Sequence, residues 1–143
     1  MTRTKKIMVV DDEAGIRNLL FDVLSEEGFM VTLAKDGEDS LRQMQKTRYD
    51  LVITDINMPR LGGMELIRRM KMDGRKEKII IMSGKPIDLS KNKKEIPKVF
   101  ALLNKPFHMN LFLEVVSSAF LTVNMKKCDG REISRKGKLA NAV

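Results

Sequence analysis

Apolar residues recur along this chain in two rhythms. Short runs rich in β-branched residues, at Ile7–Val10, Phe29–Ala34, Leu51–Thr54, Lys78–Met82 and Val99–Leu103, read as strands buried on both faces. Between them the period lengthens. Ile16, Leu19, Leu20, Val23 and Leu24 fall at offsets 0, 3, 4, 7 and 8, one face of a helix that stops before Gly28. Asp36-Gly37 reads as a turn, followed by a helix from Glu38 to Lys46 with Leu41 and Met44 inward. A third helix runs from Met64 to Met72 with Leu66, Ile67 and Met70 apolar, and Asp73-Gly74 closes it. Phe112, Val115, Val116, Ala119, Phe120 and Val123, at offsets 0, 3, 4, 7, 8 and 11, predict a last helix that docks on the sheet.

Strands alternating with helices predict right-handed crossovers and a parallel sheet covered on both faces, an α/β three-layer sandwich of five strands. The length of 143 residues suits one domain with a full core. No apolar run approaches the length of a membrane span, the start lacks the apolar core of a signal peptide, and the single Cys128 can close no internal disulfide. A cytoplasmic protein without membrane contact is the expectation. The net charge of +8 would permit nucleic-acid binding, but a surplus of four basic residues lies beyond Asn124 in a stretch without aromatics. That favours a solvated, disordered tail over residues 125–143 and argues against nucleic acid. The eleven methionines are scattered and read mostly as core filler.

The chemistry gathers where strands end. The first strand runs into Asp11-Asp12-Glu13, the third into Asp55, the fourth into Ser83-Gly84 and the fifth into Asn104-Lys105-Pro106. In a parallel sheet these tips share one edge, where open α/β sheets keep their ligands. Taken alone, Asp55 is a turn or cap residue, Ser83 a strand-end residue and Lys105 a solvated lysine. Together they point elsewhere. Carboxylates about 4 Å apart repel by roughly 4 kcal/mol per pair at an effective dielectric of about 20, so a cation or proton must offset them. Magnesium, which takes oxygen ligands and is usually held by one or two carboxylates plus a phosphate, is the natural answer. Asp55 then becomes a candidate nucleophile toward phosphorus, with Lys105 neutralising the incoming group and Ser83 donating to one of its oxygens.

With these residues in view the chain resembles a response-regulator receiver domain of two-component signalling. The matching pieces are Val9-Val10-Asp11-Asp12-Glu13, Asp55-Ile56-Asn57-Met58-Pro59, Gly63, Ser83 and Lys105-Pro106-Phe107, within residues 5–124. The resemblance implies a flavodoxin-like strand order of 2-1-3-4-5 and a phosphoryl group accepted by Asp55 from a sensor histidine kinase or phosphotransfer protein. It implies magnesium held by Asp12, Asp55 and the Asn57 backbone carbonyl, with Asp11 acting through water. It also implies that Ser83 and Lys105 contact the phosphoryl group and that the peptide bond before Pro106 is cis.

Several positions depart from the family pattern. Leu102 stands where the family usually has a Tyr or Phe that reports phosphorylation, with Phe100 out of register. Residues 85–98, with Pro86, Pro97 and a run of lysines, predict a fourth helix that is short or irregular, exposed and mobile. Gly62 replaces an acidic residue and weakens the cap of the third helix. His108 reads as an exposed residue near the start of the last helix. Only twenty residues follow Val123, too few for an output domain, so the expectation is a stand-alone receiver, not an enzyme, that signals through an unidentified downstream partner as a monomer or weak dimer. The alternative is a receiver-like binding module that does not use phosphorylation. An aspartyl phosphatase would want an acid two residues after Asp55, where Asn57 stands. A flavin module would want a phosphate-cradling loop after the first strand, where Asp11, Asp12 and Glu13 would repel phosphate.

Overall fold

A computed structural model of the chain describes residues 3–85 and 99–121. The elements run β1 (Lys6–Val10), α1 (Ala14–Glu26), β2 (Met30–Ala34), α2 (Gly37–Met44), β3 (Leu51–Asp55), α3 (Gly63–Met72), β4 (Lys78–Ser83), β5 (Ala101–Asn104) and α4 (Met109–Ala119). The five strands form one sheet in the order β2-β1-β3-β4-β5. Five parallel strands in this order, with four helices among the described residues, are the flavodoxin-like arrangement that the resemblance implied. Contacts along the chain group it into two compact units, one ending at Ile79 and one beginning at Ile80.

In the first unit β1 lies between β2 and β3, with Val10 opposite Ala34 on one side and Thr54 on the other. Ile7 to Val10 and Leu51 to Ile53 are fully buried. Side chains of a strand alternate between faces, so burial at every position requires cover on both. α3 contributes Leu66, Ile67 and Met70, all buried. α1 buries Leu20 and Leu24. Its stripe is narrower than the periodicity predicts: Leu19 is 48% exposed, because the face that packs on β1 and β2 centres on Leu20 and Leu24 and leaves Leu19 on its flank.

The Asp36-Gly37 turn is corrected to a helix start. Asp36 is the N-cap of α2, its carboxylate accepting from the Asp39 N–H at 2.8 Å, and Gly37 is the first helical residue. Both readings begin from the same property, an Asp side chain bonding backbone two or three residues on, and here the helix follows directly. α2 also ends earlier, at Met44. Arg75 reaches the Met44 and Thr47 carbonyls at 2.8 and 2.9 Å and so ties off that end.

In the second unit β4 and β5 pair from Ile80 opposite Ala101 to Ser83 opposite Asn104. Val99 and Phe100 precede the first paired residue, so β5 is shorter than its apolar run. α4 buries Phe112, Val115, Val116 and Ala119 as the period predicts, and ends at Ala119. His108 is its exposed N-cap, without a side-chain cap bond. Leu102 is half-buried on β5. Of the methionines, Met8, Met44, Met70 and Met82 are buried, whereas Met30 and Met72 are exposed. The predicted irregular fourth helix and the basic tail fall outside the described residues, apart from Lys85. Among the described residues no helix is long and apolar enough to cross a membrane.

Candidate functional site

β1 and β3 are neighbours and parallel, so their C-terminal ends come out side by side. The sequence places Asp11 and Asp12 after one and Asp55 at the end of the other. One carboxylate oxygen from each of the three lies within 4.8 Å of the others. Asp11 is fully buried, Asp55 is 6% exposed and Asp12 is exposed, so the cluster opens to solvent on the Asp12 side.

Backbone bonds hold the two buried carboxylates. Asp11 Oδ1 accepts from the Glu13 N–H at 2.9 Å, and Asp55 Oδ1 accepts from the Ile56 N–H at 2.8 Å. The Thr54 hydroxyl donates to the Asp55 carbonyl at 2.9 Å. α3 then closes on the end of β3. A Cβ on Gly63 would lie 2.2 Å from the Asp55 carbonyl oxygen, a distance no side chain tolerates, so glycine alone permits this approach. Gly62 is the N-cap of α3 and supplies no side-chain bond. Asn57 lies exposed in the loop between β3 and α3.

Three hard oxygen donors from acidic residues, one side open, suit a divalent cation of the magnesium type, which keeps several waters and needs few protein ligands. Mutual repulsion of the carboxylates is what such an ion would offset.

Ser83 and Lys105 meet each other in the second unit. The Lys105 N–H donates to the Ser83 carbonyl at 2.7 Å, and the Lys105–Pro106 peptide bond is cis. The Ser83 side chain is buried, and its hydroxyl donates to the Lys85 carbonyl while accepting from the Lys85 N–H at 3.2 Å. Phe107 stacks on Phe112 at 5.5 Å between ring centroids, anchoring the segment that follows Lys105 to α4.

Some contacts in the first unit have no signature in the sequence. Arg17 Nη1 donates to the Asp11 carbonyl at 2.7 Å, although by pattern Arg17 is simply a polar position on α1. Gly37 packs against Leu61 so closely that a Cβ would lie 2.5 Å from the Leu61 carbonyl oxygen, joining the loop after β3 to the start of α2. Only the chance neighbourhood of a glycine and a loop, invisible to periodicity, marks it.

The chain matches the family model described as the response regulator receiver domain over residues 7–117. It is 34% identical over 113 residues to sporulation initiation phosphotransferase F of Bacillus subtilis, covering 78% of this chain and 90% of that protein. It is 32% identical over 80 residues to the two-component response regulator PhoP of Pseudomonas aeruginosa, but spans only 36% of that protein's length. Among solved structures, chemotaxis response regulator CheY4 of Vibrio cholerae superposes with a TM-score of 0.74 at 27% identity, covering 82% of this chain and all of that one. Response regulator TrrA of Thermotoga maritima, solved in complex with Mg2+ and BeF, gives a TM-score of 0.70 at 32% identity over 82% of this chain and all of that one. With its sheet order, its acidic cluster and a family match across most of its length, this chain belongs to the response regulator receiver domain family.

Proposed function

We propose that Asp55 is the phosphoacceptor of this receiver and that it works with magnesium. The observation that carries the reading is the meeting of Asp11, Asp12 and Asp55 within 4.8 Å at the ends of two adjacent parallel strands. Asp12, Asp55 and the Asn57 carbonyl would hold the ion, with Asp11 acting through a bound water. When bound, magnesium supplies positive charge that offsets the carboxylates and the phosphoryl oxygens.

Asp55 attacks phosphorus through a carboxylate oxygen. The bond from phosphorus to the donor histidine nitrogen breaks, and its electron pair leaves with the nitrogen. The donor belongs to a sensor histidine kinase or a phosphotransfer protein. The roles of Ser83 and Lys105 rest on the resemblance: Lys105 would neutralise the phosphoryl group, and Ser83 would exchange its bond to the Lys85 carbonyl for one to a phosphoryl oxygen. Signalling would then proceed by contact with a downstream partner, with no substrate turnover as its purpose.

Intact-protein mass spectrometry after incubation with magnesium and acetyl phosphate tests this. The wild type should gain one phosphoryl group, and neither Asp55→Ala nor the wild type in excess EDTA should. An unmodified wild type would favour a binding module that does not use phosphorylation.

A further inference from the structure

The exposed member of the acidic cluster, Asp12, sits on the turn between β1 and α1, whose backbone is held from both the strand side and the helix side. The Asp11 N–H donates to the Ala34 carbonyl at 3.2 Å, which fixes the strand side of the turn. Beyond it, Glu13 is the N-cap of α1, extended and without a side-chain cap bond. The Asp11 carbonyl belongs to the same rigid peptide plane as the Asp12 nitrogen. That carbonyl accepts from Arg17 at 2.7 Å, the guanidinium reaching back over the first turn of its own helix. Arg17 is also joined to the turn through its main chain, its N–H donating to the Glu13 carbonyl at 3.0 Å. Orienting this plane sets ψ of Asp11 and φ of Asp12, and with them the direction of the Cα–Cβ bond from which the Asp12 carboxylate extends.

We propose that Arg17 is a positioning residue for the cation site: it locks the Asp11–Asp12 peptide plane and so aims Asp12 at Asp11 and Asp55. The proposal rests on the reading that this cluster takes magnesium. Groups that orient metal ligands typically change affinity by about 10- to 100-fold when removed. Two effects of opposite sign are present here. A guanidinium on the Asp11 main-chain carbonyl repels an incoming Mg2+, whereas an aimed Asp12 attracts it. Removing the guanidinium, and with it both the charge and the donated hydrogen bond, decides by the sign of the change which one dominates.

Isothermal titration calorimetry with Mg2+ alone would be run on wild type, Arg17→Met and Arg17→Lys, with thermal midpoints measured in excess EDTA. Arg17→Met should weaken Mg2+ binding by about tenfold while still melting cooperatively. Arg17→Lys, which can still donate to the carbonyl, should fall between the two. Unchanged or tighter binding by Arg17→Met overturns the proposal, because the residue would then act through charge or not at all. Arg17→Gln, likewise uncharged and shorter than arginine but polar, is the second variant and should also weaken binding. If neither uncharged variant melts cooperatively, Arg17 is a folding residue and the proposal fails. Absence of Mg2+ binding by the wild type, indistinguishable from Asp12→Asn, would instead remove the cation reading itself.

Discussion

Gly63→Ala isolates the contact that seats α3 on the end of β3. The new Cβ would meet the Asp55 carbonyl oxygen at 2.2 Å, the Ile56 Cα at 3.0 Å and the Asp55 carbonyl carbon at 3.1 Å, all backbone atoms. None can rotate away, so helix and strand end must separate by about 1 Å to reach ordinary contact distance. A gap of 0.5–1 Å forfeits roughly a quarter to a half of the dispersion attraction of each atom pair it opens. The side chains affected, Leu66, Ile67 and Met70, are at most 1% exposed. Overpacking of this kind costs about 1–3 kcal/mol and occasionally more, against less than about 1 kcal/mol gained from the better helix propensity of alanine. A net loss of about 2 kcal/mol should lower the urea midpoint by roughly 1 M, given slopes of about 1–3 kcal/mol/M. The Asp55 carboxylate should shift with its backbone, so calorimetry should also show weaker Mg2+ binding. Gly15→Ala is the control: nothing lies within 4 Å of its Cβ, it stands in α1, and its midpoint should rise slightly. A Gly63→Ala midpoint within about 0.2 M of wild type would refute the steric argument.

Arg75 links two carbonyls at the end of α2 to Glu77, and the Arg75 and Glu77 side chains are 14% and 4% exposed. Arg75→Met should cost about 3 kcal/mol in chemical denaturation, because Glu77 and the carbonyls lose their cation in a buried place; a loss below about 0.5 kcal/mol would show that water replaces it. The Asp50 carboxyl is held below the usual carboxylate range, first by the Arg3 guanidinium that donates to it, then by the Lys6 N–H, with partial burial opposing both. The folded state therefore binds this proton less readily than the unfolded chain. The stabilisation is present above the ordinary carboxylate pKa and is lost as pH falls through the depressed one. Urea midpoints of wild type and Asp50→Asn should accordingly differ at neutral pH and converge in acid, and a constant gap would contradict the assignment.

The strands and their order of appearance are legible because a strand buried on both faces needs a continuous apolar run, and such runs are rare by accident. Placing Asp11, Asp12 and Asp55 at strand tips follows from the same pattern, and the parallel pairing of β1 with β3 then brings them together. The ends of elements were less legible. Asp36-Gly37 satisfies a turn and a helix start equally well, and β5 is set by where β4 offers partners, not by where its apolar residues begin. Leu19 follows the helical period yet is 48% exposed, since a period gives the direction of a face but not the width of the surface that covers it.

What the sequence by itself determined is local and periodic: the elements, the parallel sheet they require and the acidic residues where strands stop. What only the tertiary structure decided are contacts between residues whose types carry no mark of each other. Gly63 against the Asp55 carbonyl, Gly37 against Leu61, and Arg17 on the Asp11 carbonyl all depend on how closely one backbone approaches another. Backbone atoms are the same in every residue, so a contact made to them leaves no pattern in side-chain identity, and only coordinates can reveal it.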